Sequence, residues 1–202
     1  MSLTRICVAL AVMSGCAQSF PVFAQTQAAA EQAAEPRLFE GLGPHTRKVS
    51  TSNAKAQAYF DQGLNWMYSF NHDEAIRSFE YAAKLDPTCA MAHWGVAICN
   101  GPHINAPTIE EYQARAAWQA LQRAKENIKH ASPVEAALIT ALEARYVDPD
   151  NPPSGKLPLT ADERRPLDQA YADAMAKVYA QFPDDADVAT LYAEALMDLR
   201  PW

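Results

Sequence analysis

Apolar residues recur at three- and four-residue spacing over most of the chain from residue 54 onward, with polar residues between them. This periodicity is that of helices with one buried face, whereas the strict alternation of a half-buried strand persists nowhere. Prolines, glycines and Asn–Asp clusters separate the periodic blocks. The pattern predicts an all-α chain with helices near residues 54–70, 73–85, 88–97, 108–130, 132–146, 162 or 166 to 181, and 184–196.

The block at residues 56–87 places small and bulky residues where a pair of packed helices requires them. Gly63 and Ala75 are small at positions of close approach, and Phe79 is bulky where neighbouring helices leave space. The offsets are those of a tetratricopeptide-type repeat, in which Gln62 holds a position usually taken by Leu. The block therefore predicts one helical hairpin of an α-solenoid, and its matching residues are Tyr59, Gly63, Trp66, Ala75, Phe79, Ala82 and Pro87.

A second unit begins at residues 88–97 and again has small residues at the close-approach positions. Residues 100–107 then interrupt the repeat, because two prolines and a glycine prevent helix continuation. We predict an inserted loop here in place of a tight turn. Its polar residues Asn100, His103 and Asn105 are more numerous than a spacer needs, so the loop is a candidate ligand-contacting site.

Helix starts are predicted from residues that cap free backbone N–H groups. Asn71 is suited to ending the first helix and Asp73 to capping the second. Thr108, followed three residues later by Glu111, has the pattern of a capping box. Ser132 precedes a proline and an early acid, which is typical of a helix N-terminus.

The first 24 residues have the layout of a secretory signal, with Arg5, a short apolar stretch and small residues before Gln25. A competing interpretation is a bacterial lipobox at Cys16, which would be lipidated and become the mature N-terminus. Both predict an exported protein, either periplasmic or membrane-anchored through Cys16. Residues 25–52 are then expected to form a disordered tether and entry segment, and residues 53–202 the helical repeat domain.

Charge and motif content limit the classes of function. The chain has 17 Lys and Arg against 24 Asp and Glu, a net charge of −7, and its basic residues are scattered. Nucleic-acid binding needs clustered cations, so no nucleic-acid partner is expected. The sequence contains no nucleophile elbow, phosphate loop or HExxH motif, and the acids at helix starts are explained by the helix dipole. We therefore expect neither enzymatic activity nor a cofactor.

A repeat superhelix presents a concave surface formed mainly by the first helix of each pair. The spacing predicts that aromatic and Met side chains face this groove, where they suit a peptide helix or an extended segment of a protein partner. The alternative is that neighbouring helices bury several of them. The predicted partner-binding residues are Phe60, Met67, Tyr68, Trp94 and Ile98.

Two Cys-x₃-His pairs are the sharpest chemical candidates, Cys89 with His93 and Cys99 with His103. On a helix this spacing puts thiol and imidazole on one face, and the combination is a ligand set for copper or zinc. Ten helical residues separate the two cysteines by roughly 15 Å, too far for one ion. The alternative function is therefore binding of a metal ion or small ligand at Cys89, His93 and the loop. The competing explanation of these residues is structural, with buried thiols and a hydrogen-bonded core histidine.

Several short motifs resemble an exported bacterial family of tetratricopeptide-repeat proteins. Its members share F-D-Q-G-L, F-N-H-x-E-A, A-x-x-L-D-P, A-M-A-x-W-G and G-P-x-I-N, all of which occur here between residues 60 and 105. The resemblance extends from about residue 50 to residue 202 and implies a superhelical fold and an extracytoplasmic location, but no activity. Family members are longer, so we expect this chain to be the N-terminal portion of a longer protein.

Overall fold

The computed structural model describes residues 35–200, and in this range it has seven α-helices, one short 3₁₀-helix and no β-strand. The described chain is therefore all-α, as the periodicity predicts. The predicted signal peptide, Cys16 and most of the Ala- and Gln-rich tether lie outside the described residues. The helices are α1 (Ala54–Tyr68), α2 (His72–Leu85), α3 (Ala90–Cys99), α4 (Glu111–Glu126), α5 (Pro133–Glu143), α6 (Ala161–Gln181) and α7 (Ala186–Met197), with the 3₁₀-helix at Ile128–His130.

Two of the predicted helix caps are wrong. The cap of α2 is Asn71, whose side chain accepts the Glu74 N–H, so Asp73 lies inside the first turn. The cap of α4 is Glu110 rather than Thr108. The chain stays extended past Thr108 because the Ile109 N–H donates to the Leu159 carbonyl at 3.0 Å, which delays the first helical turn.

The cap of α5 follows the sequence prediction. Ser132 precedes Pro133 at the first helical position, and Ser132 and Glu135 form a reciprocal capping box. Glu135 is also 2% exposed, because it accepts two further hydrogen bonds from Ser50, through its N–H at 2.7 Å and its hydroxyl at 2.5 Å. This carboxylate thus caps a helix and binds a distant segment at once.

The core is continuous from α1 to α7, and consecutive helices pack against each other along it. All ten residues of α3 are buried, since α1, α2, α4 and α5 surround this helix. Its sequence is apolar around the whole circumference, as expected for a helix without a solvent face. Within residues 35–200, no helix is both long and apolar enough to cross a membrane.

Residues 36–52, where the sequence predicts the end of the tether and the entry segment, form an irregular segment that packs on the helices. Val49 is 3% exposed, and Ser50 binds Glu135 of α5. The Arg47 guanidinium binds Asp185 and Asp187 at the start of α7, at 2.7 and 2.9 Å. The segment has no helical periodicity, so the sequence pattern could not indicate that side chains elsewhere in the chain hold it.

Candidate functional site

Most of the residues predicted to line a concave groove lie in the core. Phe60 and Trp94 are 0% and 1% exposed, and Met67 and Ile98 are also buried. These four residues therefore do not line an open groove, and the prediction that they do is wrong. The physical reason is that α3 is covered on every side, so the α1 side chains facing it meet protein instead of solvent.

Tyr68 is the one predicted groove residue that is only partly buried, and it already has a partner in the chain. Its hydroxyl donates to Asp187 Oδ1 at 2.7 Å. Burial and the neighbouring Asp187 carboxylate raise the pKa of Tyr68 well above its usual value. The His45 and Arg47 side chains bind the same carboxylate, so Tyr68 belongs to a structural network.

Cys89 and His93 occupy separate environments. Cys89 is 1% exposed at the N-cap of α3, and burial raises the pKa of its thiol to about 11, so it stays protonated at neutral pH. His93 Nε2 donates to the Pro87 carbonyl at 3.1 Å and lines a cleft of about 570 Å³ that Cys89 does not line. In the range 35–200 no group of three His, Cys, Asp or Glu side chains is arranged to hold a metal ion.

The inserted loop is positioned from beneath by Tyr146. The Tyr146 hydroxyl donates to the Ala97 carbonyl at 2.8 Å and fills the space beside Gly101, where an added Cβ would come within 2.2 Å of it. The loop then turns back through paired backbone hydrogen bonds between His103 and Ala106. A glycine is therefore required where the loop leaves α3.

The three candidate residues of the loop lie in different environments. The buried Asn100 amide donates to the Val96 carbonyl at 2.9 Å and extends the end of α3. Asn105 is exposed at the tip. His103 alone turns toward another element, the connection between α1 and α2 that contains Phe70 and His72.

The rings of Phe70, His72 and His103 form a cluster that we call the histidine cleft. The two imidazoles stack with centroids 4.2 Å apart and planes at 23°. The Phe70 ring lies 5.9 Å from His103 and 6.1 Å from His72. These rings border a cavity of about 280 Å³, whose other lining residues include Asp73, Ile76, Cys99, Thr108 and Gln113.

Both imidazoles of the cleft are neutral at pH 7. Burial, then the proximity of His72 and Arg145, lowers the pKa of His103 to about 4. Burial also lowers the pKa of His72, although the nearby Asp73 carboxylate and the hydrogen bond to the Phe70 backbone oppose the shift. A neutral imidazole offers one donor and one acceptor nitrogen, and His103 Nδ1 is buried without a hydrogen-bond partner among the described residues. The two imidazoles can therefore form hydrogen bonds with a ligand while remaining uncharged.

Phe70 is the functional candidate that sequence reasoning missed. It has a φ of +59°, which a residue with a Cβ adopts only at an energetic cost, and its side chain is 50% exposed. The sequence favoured Asn71 for the left-handed conformation because Asn tolerates it better. In the structure Asn71 instead caps α2, which transfers the left-handed turn to Phe70.

Comparisons with protein-family models, with curated proteins and with solved structures found no match to this chain. The class that the fold defines is an all-α protein with one continuous core over its helices.

Proposed function

We propose that this chain is a tetratricopeptide-type scaffold that binds a protein or peptide partner at the histidine cleft. The proposal keeps the scaffold role expected from the sequence and moves its recognition surface from the concave row to the junction of the α1–α2 turn with the inserted loop. The observation that carries it is the exposed Phe70 side chain, which a left-handed backbone holds beside a polar cavity.

The repeat part of the proposal is supported by one glycine in α1 and one in α3. The Phe79 ring of α2 packs against both Gly63 and Gly95. A bulky side chain from the second helix of one unit that fills space left by small residues in two first helices is typical of stacked repeats. We therefore treat α1–α2 and α3–α4 as two units of one stack.

The recognition part rests on backbone strain and exposure. A non-glycine residue in the left-handed region costs roughly 1–2 kcal/mol, and such strain concentrates at binding and catalytic sites. At Phe70 the strained backbone holds an aromatic ring at the surface, where aromatic residues contribute strongly to protein interfaces. An apolar partner side chain could stack on Phe70 while its neighbouring backbone N–H groups reach the imidazole nitrogens.

We further propose that the partner is met outside the cytoplasm. The signal-like sequence at residues 1–24 supports this location, with Cys16 offering a lipid anchor as the alternative to a free periplasmic form. The acidic charge balance is compatible with a protein partner rather than a nucleic acid.

Site-specific photocrosslinking tests the proposal. A photoreactive phenylalanine analogue replaces Phe70 in the full chain expressed with its own leader, and Tyr112, which is 70% exposed and does not line the cleft, is the matched control position. We expect one partner to crosslink at position 70 and not at 112. A photoreactive residue at Asn105 should crosslink less of that same partner when Phe70 is changed to Ala than when Phe70 is present. Equal labelling from positions 70 and 112 would contradict the proposal.

A second candidate function is binding of a metal ion or small polar ligand in the same cavity. The observation that favours it is the unpartnered Nδ1 of His103 in a cavity that Cys99 also lines. The proposed ligands are then His72 and His103, whereas the sequence predicted Cys89, His93 and the loop at His103. Copper or zinc that copurifies at one ion per chain and is lost in His103→Ala, but not in His93→Ala, would support this candidate over partner binding.

A further inference from the structure

Residues 36–39 lie extended along α1 and are held there mainly through their backbone. The Tyr59 hydroxyl donates to the Pro36 carbonyl at 2.5 Å. The Gln62 side chain binds the next two backbone groups, donating to the Arg37 carbonyl at 3.1 Å and accepting the Phe39 N–H at 2.8 Å. A side-chain amide that binds a carbonyl and an N–H two residues apart recognises an extended chain of any sequence.

Gln62 stands where the repeat pattern usually has Leu, and the structure gives this departure a purpose. The residue is 5% exposed, and its second amide hydrogen donates to Ser78 Oγ at 3.0 Å, while the Ser78 hydroxyl donates to the Glu74 carbonyl at 2.8 Å. The amide oxygen and both amide hydrogens of Gln62 therefore have hydrogen-bond partners, which fixes the orientation of the side chain. The helix pair α1–α2 thus presents a rigid amide to an extended segment.

Side-chain recognition is concentrated on one aromatic residue. The Phe39 ring meets Trp66 edge to face at 5.6 Å, and the Arg37 guanidinium covers the same ring at 5.4 Å. Phe39 and Leu38 nevertheless remain 40% and 44% exposed. The segment is therefore attached to the surface like a bound peptide and is not part of the core.

The fit of this segment is incomplete. The indole Nε1 of Trp66 is buried and has no hydrogen-bond partner within residues 35–200. Buried indole N–H groups usually find an acceptor, and a peptide that supplied one here would gain a hydrogen bond that residues 36–39 do not make.

We infer that the α1 surface formed by Tyr59, Gln62 and Trp66 is a peptide-binding site, and that residues 36–39 occupy it as an intramolecular ligand. The partner that fits is an extended peptide segment with an aromatic residue placed against Trp66. Because the chain's own segment is covalently attached, its effective concentration at the site is high, and a separate peptide binds well only when that segment is weakened. This site is separate from the histidine cleft and does not depend on the function proposed there.

Peptide binding to the full chain tests the inference. The probe is a fluorescently labelled peptide with the sequence of residues 36–40, and the host is the Phe39→Ala chain, whose own segment has lost its aromatic contact. We expect saturable binding to this host, with at least about tenfold weaker binding to the wild-type chain. Adding Gln62→Leu, the usual repeat residue, should weaken binding to the Phe39→Ala host by about tenfold or more.

Two controls keep the result specific to this surface. A peptide with Ala in place of its Phe should not bind, and Phe70→Ala in the host should leave peptide affinity unchanged, which separates this site from the histidine cleft. If Gln62→Leu perturbs folding, titration of the ¹⁵N-labelled Phe39→Ala chain gives the answer, because the Gln62 side-chain amide and Trp66 indole signals should shift. Absence of saturable binding, or shifts confined to other residues, would overturn the inference.

Discussion

The Phe79 side chain determines how closely α2 packs against α1 and α3. It is 0% exposed, and its ring lies against the bare backbone of Gly63 in α1 and Gly95 in α3. A Cβ at Gly63 would lie 2.7 Å from the ring, and one at Gly95 would lie 2.5 Å away, closer than carbon atoms can approach. The ring and the two glycines therefore form one packing unit in which none can change alone.

Gly95→Ala is expected to destabilise the protein by about 1–3 kcal/mol, because the added methyl forces the Phe79 ring from its position. The gain in helix propensity offsets up to about 1 kcal/mol of the clash. Urea denaturation measures the change. Phe79→Leu combined with Gly95→Ala should cost less than the sum of the two single changes, since the smaller side chain leaves room for the methyl. Strict additivity would show that the clash is relieved elsewhere.

His103 should make stability depend on pH in a defined window. Its pKa is near the ordinary 6.5 in the unfolded chain and about 4 in the folded one, so the unfolded state binds a proton first as pH falls. The contribution of neutral His103 to the free energy of unfolding is therefore fully present above about pH 6.5. It is lost as the pH falls toward 4. The free energy of unfolding of His103→Gln should therefore change less across that window than that of the wild type. The matched control is His130→Gln, at an exposed site, which should follow the wild-type curve.

At the scale of elements, a buried ionic cluster joins the end of α5 to α6 and α7. Arg145 is 1% exposed, and its guanidinium binds Asp168 of α6 at 3.3 Å and the buried Asp198 at the end of α7. The same guanidinium lies 4.8 Å from the Tyr171 ring centroid. Burial raises the pKa of Asp198 even though Arg145 opposes the shift, so removing the charges from water is costly here.

Asp198→Ala should destabilise the protein by about 3–5 kcal/mol, because it leaves the buried Arg145 charge with half of its counter-charge. Arg145→Met combined with Asp198→Ala should recover part of that loss, since no uncompensated guanidinium remains. The control is Arg165→Ala, which removes an exposed pair with Asp162 and should cost less than about 1 kcal/mol. Thermal and urea unfolding would both reveal the difference, and an equal cost for the two pairs would refute the argument.

The helices were the part of the fold that sequence predicted well, because each has a strong local signal. The 3.6-residue periodicity located α1 and α2 within two residues of their observed ends, and Ser132 and Pro133 marked the start of α5. Interactions between distant residues were not predictable. Nothing near Gln62 in the sequence indicates that its amide binds the backbone of residues 37 and 39.

The candidate site was predictable only in part. The sequence marked His103 as a loop candidate and His72 as part of a motif, but their stacking depends on how the loop folds back over the α1–α2 turn. Helical spacing correctly groups Phe60, Trp94 and Ile98 as apolar faces, yet spacing alone cannot distinguish an open groove from a buried interface. The covering of α3 by its neighbours decides that question.

For the molecule as described from residue 35 to residue 200, a polar network joins α1 to α7. Asp187 at the start of α7 accepts a hydrogen bond from Tyr68 of α1, and His45 and Arg47 bind the same carboxylate. Burial raises the pKa of Asp185, but bonds from Arg47 and the Val188 N–H outweigh it, so the pKa is lowered overall. The segment before α1 therefore closes the helical array by bridging helices that are distant in sequence.

Arg47→Ala should loosen this closure, because it removes three charge-assisted hydrogen bonds to Asp185 and Asp187 and leaves both carboxylates close together. We expect a loss of about 2–3 kcal/mol in unfolding free energy. Hydrogen exchange should accelerate at residues 45–51 and in the first turn of α7, while α3 stays protected. The matched control is Lys48→Ala, which removes an equal charge from an exposed position of the same segment and should change neither quantity. Faster exchange spread evenly over all helices in Arg47→Ala would mean that the network stabilises the fold globally and does not act as a local closure.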